Sequence, residues 1–320
     1  MTGLCVHAPQ ADHIGNMHLR PIADLATSHG LNAGAQKAFG RMFGLKSIAM
    51  SDKCHGAMLT EALVSLVGTT PDTMAADGTL IYVRTQTHNT VFGDDWFQAA
   101  KQAAGLDQWT HFAFGMTHCA SGLAVLHVLN QLAADRSGTN GPVIILAGEK
   151  AFHPVVNKLG TSLLGEIPTA ALVSDANGLL ELKRSGVKHL TQFYANPDQM
   201  APSDRQEFAD RFATGFQDFI ATTFTPSSTH FDHVVFFNMN APLLQKLSAA
   251  FGWQDQINIQ HITTVGHGYC ADIFLNLSDL LNRGQLQPGQ RVLALVAGMG
   301  VTFAGVEFQI NHHNGVNHAS

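Results

Sequence analysis

With 320 residues the chain can form one large or two medium domains, and a 45% hydrophobic content points to an extensive core. Only 13% of residues are charged and the net charge is −6 with no Lys/Arg-rich cluster, which argues against nucleic acid and predicts a surface partly covered by partner chains. No apolar run reaches the ~18 residues of a membrane span, and the N-terminus lacks a basic region leading into an apolar core, so a soluble, cytoplasmic protein is expected.

Taken in chain order, the elements alternate. Asp77-Gly78 introduces the β-rich run Thr79 to Thr85. Asp94-Asp95 suits the start of a helix better than a catalytic acid pair, and Trp96 to Ala104 reads as that helix, closed by Gly105. Phe112 to Gly122 is an apolar run that breaks into small residues with Cys119 at the break. Leu123 to Leu129 then continues as a buried helix. After Gly141-Pro142, Val143 to Gly148 is a continuous apolar run of the kind found in buried parallel strands, and Thr169 to Ser174 is another strand.

The second half repeats the style. Ser203 with Gln206 predicts a capping box, followed by a helix with Phe208, Phe212, Phe216 and Phe219 on one face. Asp232 to Phe237 reads as a buried strand, Leu243 to Phe251 as a helix closed by Gly252, and Ile273 to Leu281 as a helix stopped at Arg283-Gly284. Arg291 to Val296 and a last strand ending near Glu307-Phe308 flank Gly298-Met299-Gly300. No low-complexity linker intervenes. The expected organisation is two α/β halves packed as one body, residues 1–178 and 179–320.

The cysteine turn carries the chemistry. A thiol between a strand and a helix N-terminus lies at the positive end of the helix dipole, which favours the nucleophilic thiolate used in acyl transfer. A lone cysteine in an apolar stretch is more often an inert core residue, so this motif does not decide the matter alone. Cys5, Cys54, Cys119 and Cys270 are too scattered for a disulfide framework, and His267 with Cys270 is a single pair, too little for zinc; no metal is expected. Most of the 18 histidines read as polar fillers, including His312-His313 in a tail expected to be disordered.

Three further stretches sharpen the reading. Leu163 to Ala171 holds an acidic-glycine loop around Gly165-Glu166, Arg283 to Leu293 holds a Gly-x-x-x-Pro-Gly turn, and Gly298 to Phe303 a glycine-rich turn. Together with the Cys119 turn they resemble the ketoacyl synthase III branch of the thiolase superfamily over nearly the whole chain, most weakly in the first forty residues or so. The resemblance implies an α/β fold, a five-layered αβαβα sandwich of two similar halves. It also implies a homodimer, or a heterodimer with a ketosynthase-like subunit, and an acyl-CoA or acyl carrier protein thioester as substrate with no permanently bound cofactor.

Active members of that family generally use Cys, His and Asn. The cysteine maps to Cys119. Without a gap between Asp232 and Gly300, the family's His falls on Phe237 and its Asn on His267, a spacing that matches the family's own. The resemblance also implies that the Met299-Gly300 backbone helps line an oxyanion pocket, with Met299 where the family has glycine. Phe237 can donate no hydrogen bond, and loss of one donor to a developing enolate typically costs ~100- to 1000-fold. A single His beside a Cys instead suits a base acting on an amine, alcohol or thiol. The expected function is therefore an acyltransferase, or a specialised condensation in a secondary-metabolite pathway. The alternative is a non-catalytic or half-catalytic subunit of a heteromeric ketosynthase-like complex. Of the neighbouring residues, His118, Tyr269 and Glu166 read as structural, Glu166 bonding the backbone of its loop. Thr87 to Phe92 supports no assignment of acyl-chain length.

Overall fold

The computed structural model describes residues 4–7, 9–11, 17–70, 74–85, 95–135, 141–151, 153–175, 178–191, 200–224, 230–298 and 301–312. The strands are β1 (Cys5–Val6), β2 (Gln10–Ala11), β3 (Leu19–Pro21), β4 (Ser47–Ala49), β5 (Thr79–Val83), β6 (Thr110–Phe114), β7 (Val143–Ala147), β8 (Thr169–Ser174), β9 (Leu180–His189), β10 (His233–Phe236), β11 (Ile257–Asn258), β12 (Arg291–Gly298) and β13 (Thr302–Ile310). The helices are α1 (Ala33–Met42), α2 (His55–Thr69), α3 (Trp96–Ala103), α4 (Ser121–Ala134), α5 (Pro202–Phe224), α6 (Ala241–Ala250) and α7 (Asp272–Asn282).

Among the described residues eleven strands join in one sheet, ordered β11-β10-β12-β13-β9-β1-β8-β7-β5-β6, with β2 added beside β8. The order is a palindrome about the antiparallel β1–β9 pair. On one side β5 pairs in parallel with β6 and β7, and β7 runs antiparallel to β8. On the other, β10 pairs in parallel with β11 and β12, and β12 runs antiparallel to β13. The succession α2-β5-α3-β6-α4-β7-β8 is thus repeated as α5-β10-α6-β11-α7-β12-β13.

The repeat explains the layering. Helices α4 and α7 each touch strands of both half-sheets, so they form the central layer, while α2 packs outside β7 and β8 and α5 outside β9 and β13. This is the α/β sandwich of two similar halves expected from the sequence. A central helix has no water-facing side near its start, and α4 is buried from Ser121 to Leu126 and α7 from Asp272 to Leu280. Gly122 lets the two approach, since a Cβ there would lie 2.9 Å from the Cys270 carbonyl oxygen.

One expected helix start differs, and a second is met in position only. Pro202 opens α5, so Ser203 lies inside the helix and its hydroxyl meets Asp204 Oδ1 (3.1 Å), while Gln206 reaches Asp210; no capping box forms, because the fixed φ of proline suits the first helical position. Asp95 holds the N-cap position of α3 without a side-chain cap bond, and Asp94 lies outside the described residues. The phenylalanine face of α5 packs as expected: the Phe216 ring stacks on Phe303 of β13 at 4.8 Å between centroids.

No helix among the described residues is long and apolar enough to cross a membrane.

Candidate active site

Each central helix is preceded by a single 3-10 turn, His118–Ala120 before α4 and Tyr269–Ala271 before α7. Both turns enter through a non-glycine residue in the left-handed region, His118 (φ 50) and Tyr269 (φ 57). Such backbone costs on the order of 1–3 kcal/mol and persists only where its surroundings dictate it. It aims Cys119 and Cys270, the central residues of the two turns, toward the junction of the halves. Gly298 packs the end of β12 against the first turn so closely that a Cβ would sit 2.2 Å from the Thr117 carbonyl oxygen.

Cys119 and His267 meet. The cysteine is 7% exposed, the histidine fully buried, and Cys119 Sγ lies 3.2 Å from His267 Nε2. His267 is held from both sides of its peptide: its N–H donates to the Leu163 carbonyl, and its carbonyl accepts from Gly165 N–H. The acidic-glycine loop recognised in the sequence is therefore the clamp that places the imidazole. Phe237 stands beside it, edge-on at 6.3 Å between ring centroids, and Tyr269 stacks on its other side at 6.0 Å.

Behind the imidazole lies a residue that sequence reasoning missed. Asp272, the first residue of α7, places Oδ2 2.5 Å from His267 Nδ1. The same carboxylate accepts the Asn238 N–H at Oδ2 (2.7 Å) and the Gly268 N–H at Oδ1 (2.6 Å), so both oxygens are engaged without water. With Nδ1–H donating to Asp272, Nε2 is the nitrogen that faces sulfur. Burial opposes the imidazolium, but the Asp272 carboxylate and then the Cys119 sulfur outweigh it and hold His267 well above the ordinary histidine range.

A signal for Asp272 was present. Cys119-Ala120-Ser121 and Cys270-Ala271-Asp272 are equivalent tripeptides in the two halves. The first places a small hydroxyl at the start of its helix and the second a carboxylate, a difference that the repeat exposes.

The remaining sequence candidates divide plainly. Met299 and Gly300 lie outside the described residues, as do Thr87 to Phe92 and His313. The Tyr269 hydroxyl turns away to Asn157 Oδ1 (3.2 Å). Glu166 accepts from the Ser51 N–H (2.8 Å) and pairs with Lys150 (2.9 Å), so the backbone it anchors is a neighbouring segment rather than its own loop. Among the described residues no three His, Cys, Asp or Glu side chains are grouped to hold a metal.

Comparison with known proteins fits this architecture. Residues 226–310 match the family model of the 3-oxoacyl-[acyl-carrier-protein] synthase III C-terminal region. Among solved structures, the acyltransferase ChlB3 superposes with a TM-score of 0.79 at 15% identity, covering 97% of this chain and 98% of that one. The 3-oxoacyl-(acyl carrier protein) synthase III FabH from Pseudomonas aeruginosa PAO1 gives 0.75 at 12% identity, covering 97% and 99%. A single-residue variant of OleA from Xanthomonas campestris gives 0.71 at 14% identity, covering 97% and 98%. No curated protein matches the chain by sequence.

Proposed function

We propose that this chain, ketoacyl synthase III-like by sequence over residues 226–310 and by fold throughout, is an acyltransferase working through a thioester on Cys119. The observation that carries the reading is the buried line Cys119 Sγ–His267–Asp272, with contacts of 3.2 and 2.5 Å. It has the parts of a nucleophile, a base and an orienting carboxylate in hydrogen-bond reach of one another.

The chemistry closes on itself. Cys119 attacks the thioester carbonyl of an acyl-CoA or acyl carrier protein, and the carbon–sulfur bond to the donor breaks. The His267 proton at Nε2 goes to the departing thiol. His267 is then neutral, and the acylated sulfur no longer adds negative charge beside it, so one of the influences that raised its proton affinity is gone. In that state it takes the proton from an amine, alcohol or thiol acceptor, which attacks the Cys119 thioester; the thiolate leaves and the imidazolium is restored. Asp272 keeps Nδ1 protonated through both steps. Proteins of related fold supply the donor class: OleA is seen with lauroyl-CoA and MvaS with 3-hydroxy-3-methylglutaryl coenzyme A.

Phe237 argues for heteroatom transfer over decarboxylative condensation. Its ring walls the imidazole and donates nothing, so of the two positions where the ketoacyl synthase III family places a side-chain donor, only His267 could serve a malonyl-derived enolate. Malonyl decarboxylation by the unmodified protein is expected to be slow or absent. The paired change Phe237→His with His267→Asn is expected to raise it, followed as carbon dioxide release from a malonyl thioester; rapid release by the unmodified protein would overturn this part of the reading. The setting we favour is a specialised secondary-metabolite pathway, with the chain acting as a dimer.

Intact-mass spectrometry after exposure to a panel of acyl-CoA and acyl-carrier thioesters tests the assignment. One or more acyl adducts should form and vanish with Cys119→Ala. Failure of every donor to load would favour the half-catalytic subunit, the reading that Phe237 also suits, and co-purified partner chains would then be sought.

A further inference from the structure

Two sulfurs at the junction share one hydroxyl. Thr85, two residues beyond β5, places Oγ1 3.6 Å from Cys119 Sγ and 3.4 Å from Cys270 Sγ. Its backbone is pinned by the Thr85 N–H donating to the fully buried Glu149 carboxylate. Cys270 in turn donates its thiol proton to the His118 carbonyl (3.2 Å), the residue whose left-handed backbone opens the Cys119 turn. Burial first, then Glu149 and Cys119, push the Cys270 thiol well up, which keeps that proton in place.

These bonds place the Thr85 hydroxyl proton within reach of either sulfur. The Cys270 proton is committed to His118, so the Thr85 hydroxyl has no donor to receive from that side and is free to donate. An anionic sulfur is a much stronger acceptor than a neutral thiol or a thioester. We propose that Thr85 is a catalytic hydrogen-bond donor to the Cys119 sulfur, holding the free nucleophile together with His267 and releasing it for Cys270 once the sulfur is acylated. Cys270 is then a positioning residue, acting through the His118 carbonyl on the strained turn.

The proposal rests on Cys119 being the nucleophile but needs no acyl substrate for its test. Among the described residues, the titratable groups that face this sulfur are His267 with Asp272 behind it, Cys270, and Glu149 beyond Thr85. Cys119 alkylation by iodoacetamide is followed by peptide mass spectrometry between pH 5 and 10. Thr85→Val, which keeps the shape and removes the donor, should slow alkylation roughly tenfold near neutral pH yet reach the same alkaline plateau, and Thr85→Ser should restore the neutral rate. Thr85→Ala carries the same expectation should the valine variant fail to fold. An unchanged profile, or slowing by the same factor at every pH, would overturn the role of the hydroxyl. Because the readout is alkylation, loss of acyl loading in the unmodified protein would count against the acyltransferase reading and leave this result standing.

Discussion

Replacing His267 with alanine should slow transfer to the acceptor by about 100- to 10,000-fold while leaving a slower acyl loading on Cys119. The asymmetry follows from the two half-reactions. Loading starts from a sulfur that also has the α4 N-terminus to stabilise it, so some attack on an activated thioester survives without the imidazole. Transfer starts from a neutral acceptor that must lose a proton as it attacks, and among the described residues the group placed at the Cys119 sulfur to take it is His267 Nε2. Intact-mass spectrometry should therefore show the acyl-enzyme accumulating in the variant when it is loaded with the thioester that labels the unmodified protein. Full turnover by His267→Ala would leave Cys119 without its base and return the half-catalytic subunit to first place.

Changing Asp272 to alanine should damage stability as well as rate. The substitution strips the acceptor from the Asn238 and Gly268 N–H groups and from His267 Nδ1, all fully or largely buried. Breaking a buried pair by removing one partner typically costs about 3–5 kcal/mol, readable as a fall in the denaturant midpoint at unchanged slope. Asp272→Asn keeps one acceptor oxygen and should cost less, and it isolates the electrostatics. His267 is held above its ordinary range partly by the Asp272 charge, so removing that charge lowers its proton affinity. Protonation of His267 stabilises the folded state most fully below the ordinary histidine range, and that contribution fades as pH rises through the elevated folded value. The asparagine variant should lose most of this contribution. Its transfer rate should climb to its plateau at lower pH than in the unmodified protein, with a smaller plateau because the tautomer is no longer enforced. An NMR titration of the His267 ring checks the direction, and an unshifted titration would remove Asp272 from the relay.

Much of the fold could be read from residue pattern because buried parallel strands have an unmistakable composition. Val143 to Ala147 and Arg291 to Gly298 are almost wholly apolar and buried, and the structure differs there mainly in where the elements end. The helix starts were less legible. Ser203 looks like a cap until Pro202 is seen to open α5, and a local pattern cannot weigh one residue's fixed φ against another's hydrogen bond.

For the site, the resemblance to the ketoacyl synthase III branch pointed to Cys119, Phe237 and His267, and the structure places the three beside one another. Thr85 left no mark in the chain, and Asp272 left only the one that comparing the tripeptides of the two halves exposes. An aspartate at a helix start is ordinary, since it complements the dipole, and a threonine ending a strand is ordinary as well. Their chemistry arises from the packing of two half-sheets around α4 and α7, which brings residues 85, 119, 267, 270 and 272 to one buried point. The sequence by itself determined the cysteine turn and most of the strands and helices from Thr79 onward, while α1, α2, β1 to β4, β9 and β11 went unread, and the missing histidine came from the family resemblance. Only the tertiary structure decided which nitrogen of His267 faces sulfur, what holds the ring, and which hydroxyl shares the nucleophile. Those outcomes depend on side-chain contacts of about 3 Å, the ones to sulfur between segments far apart in the chain, and no local periodicity encodes them.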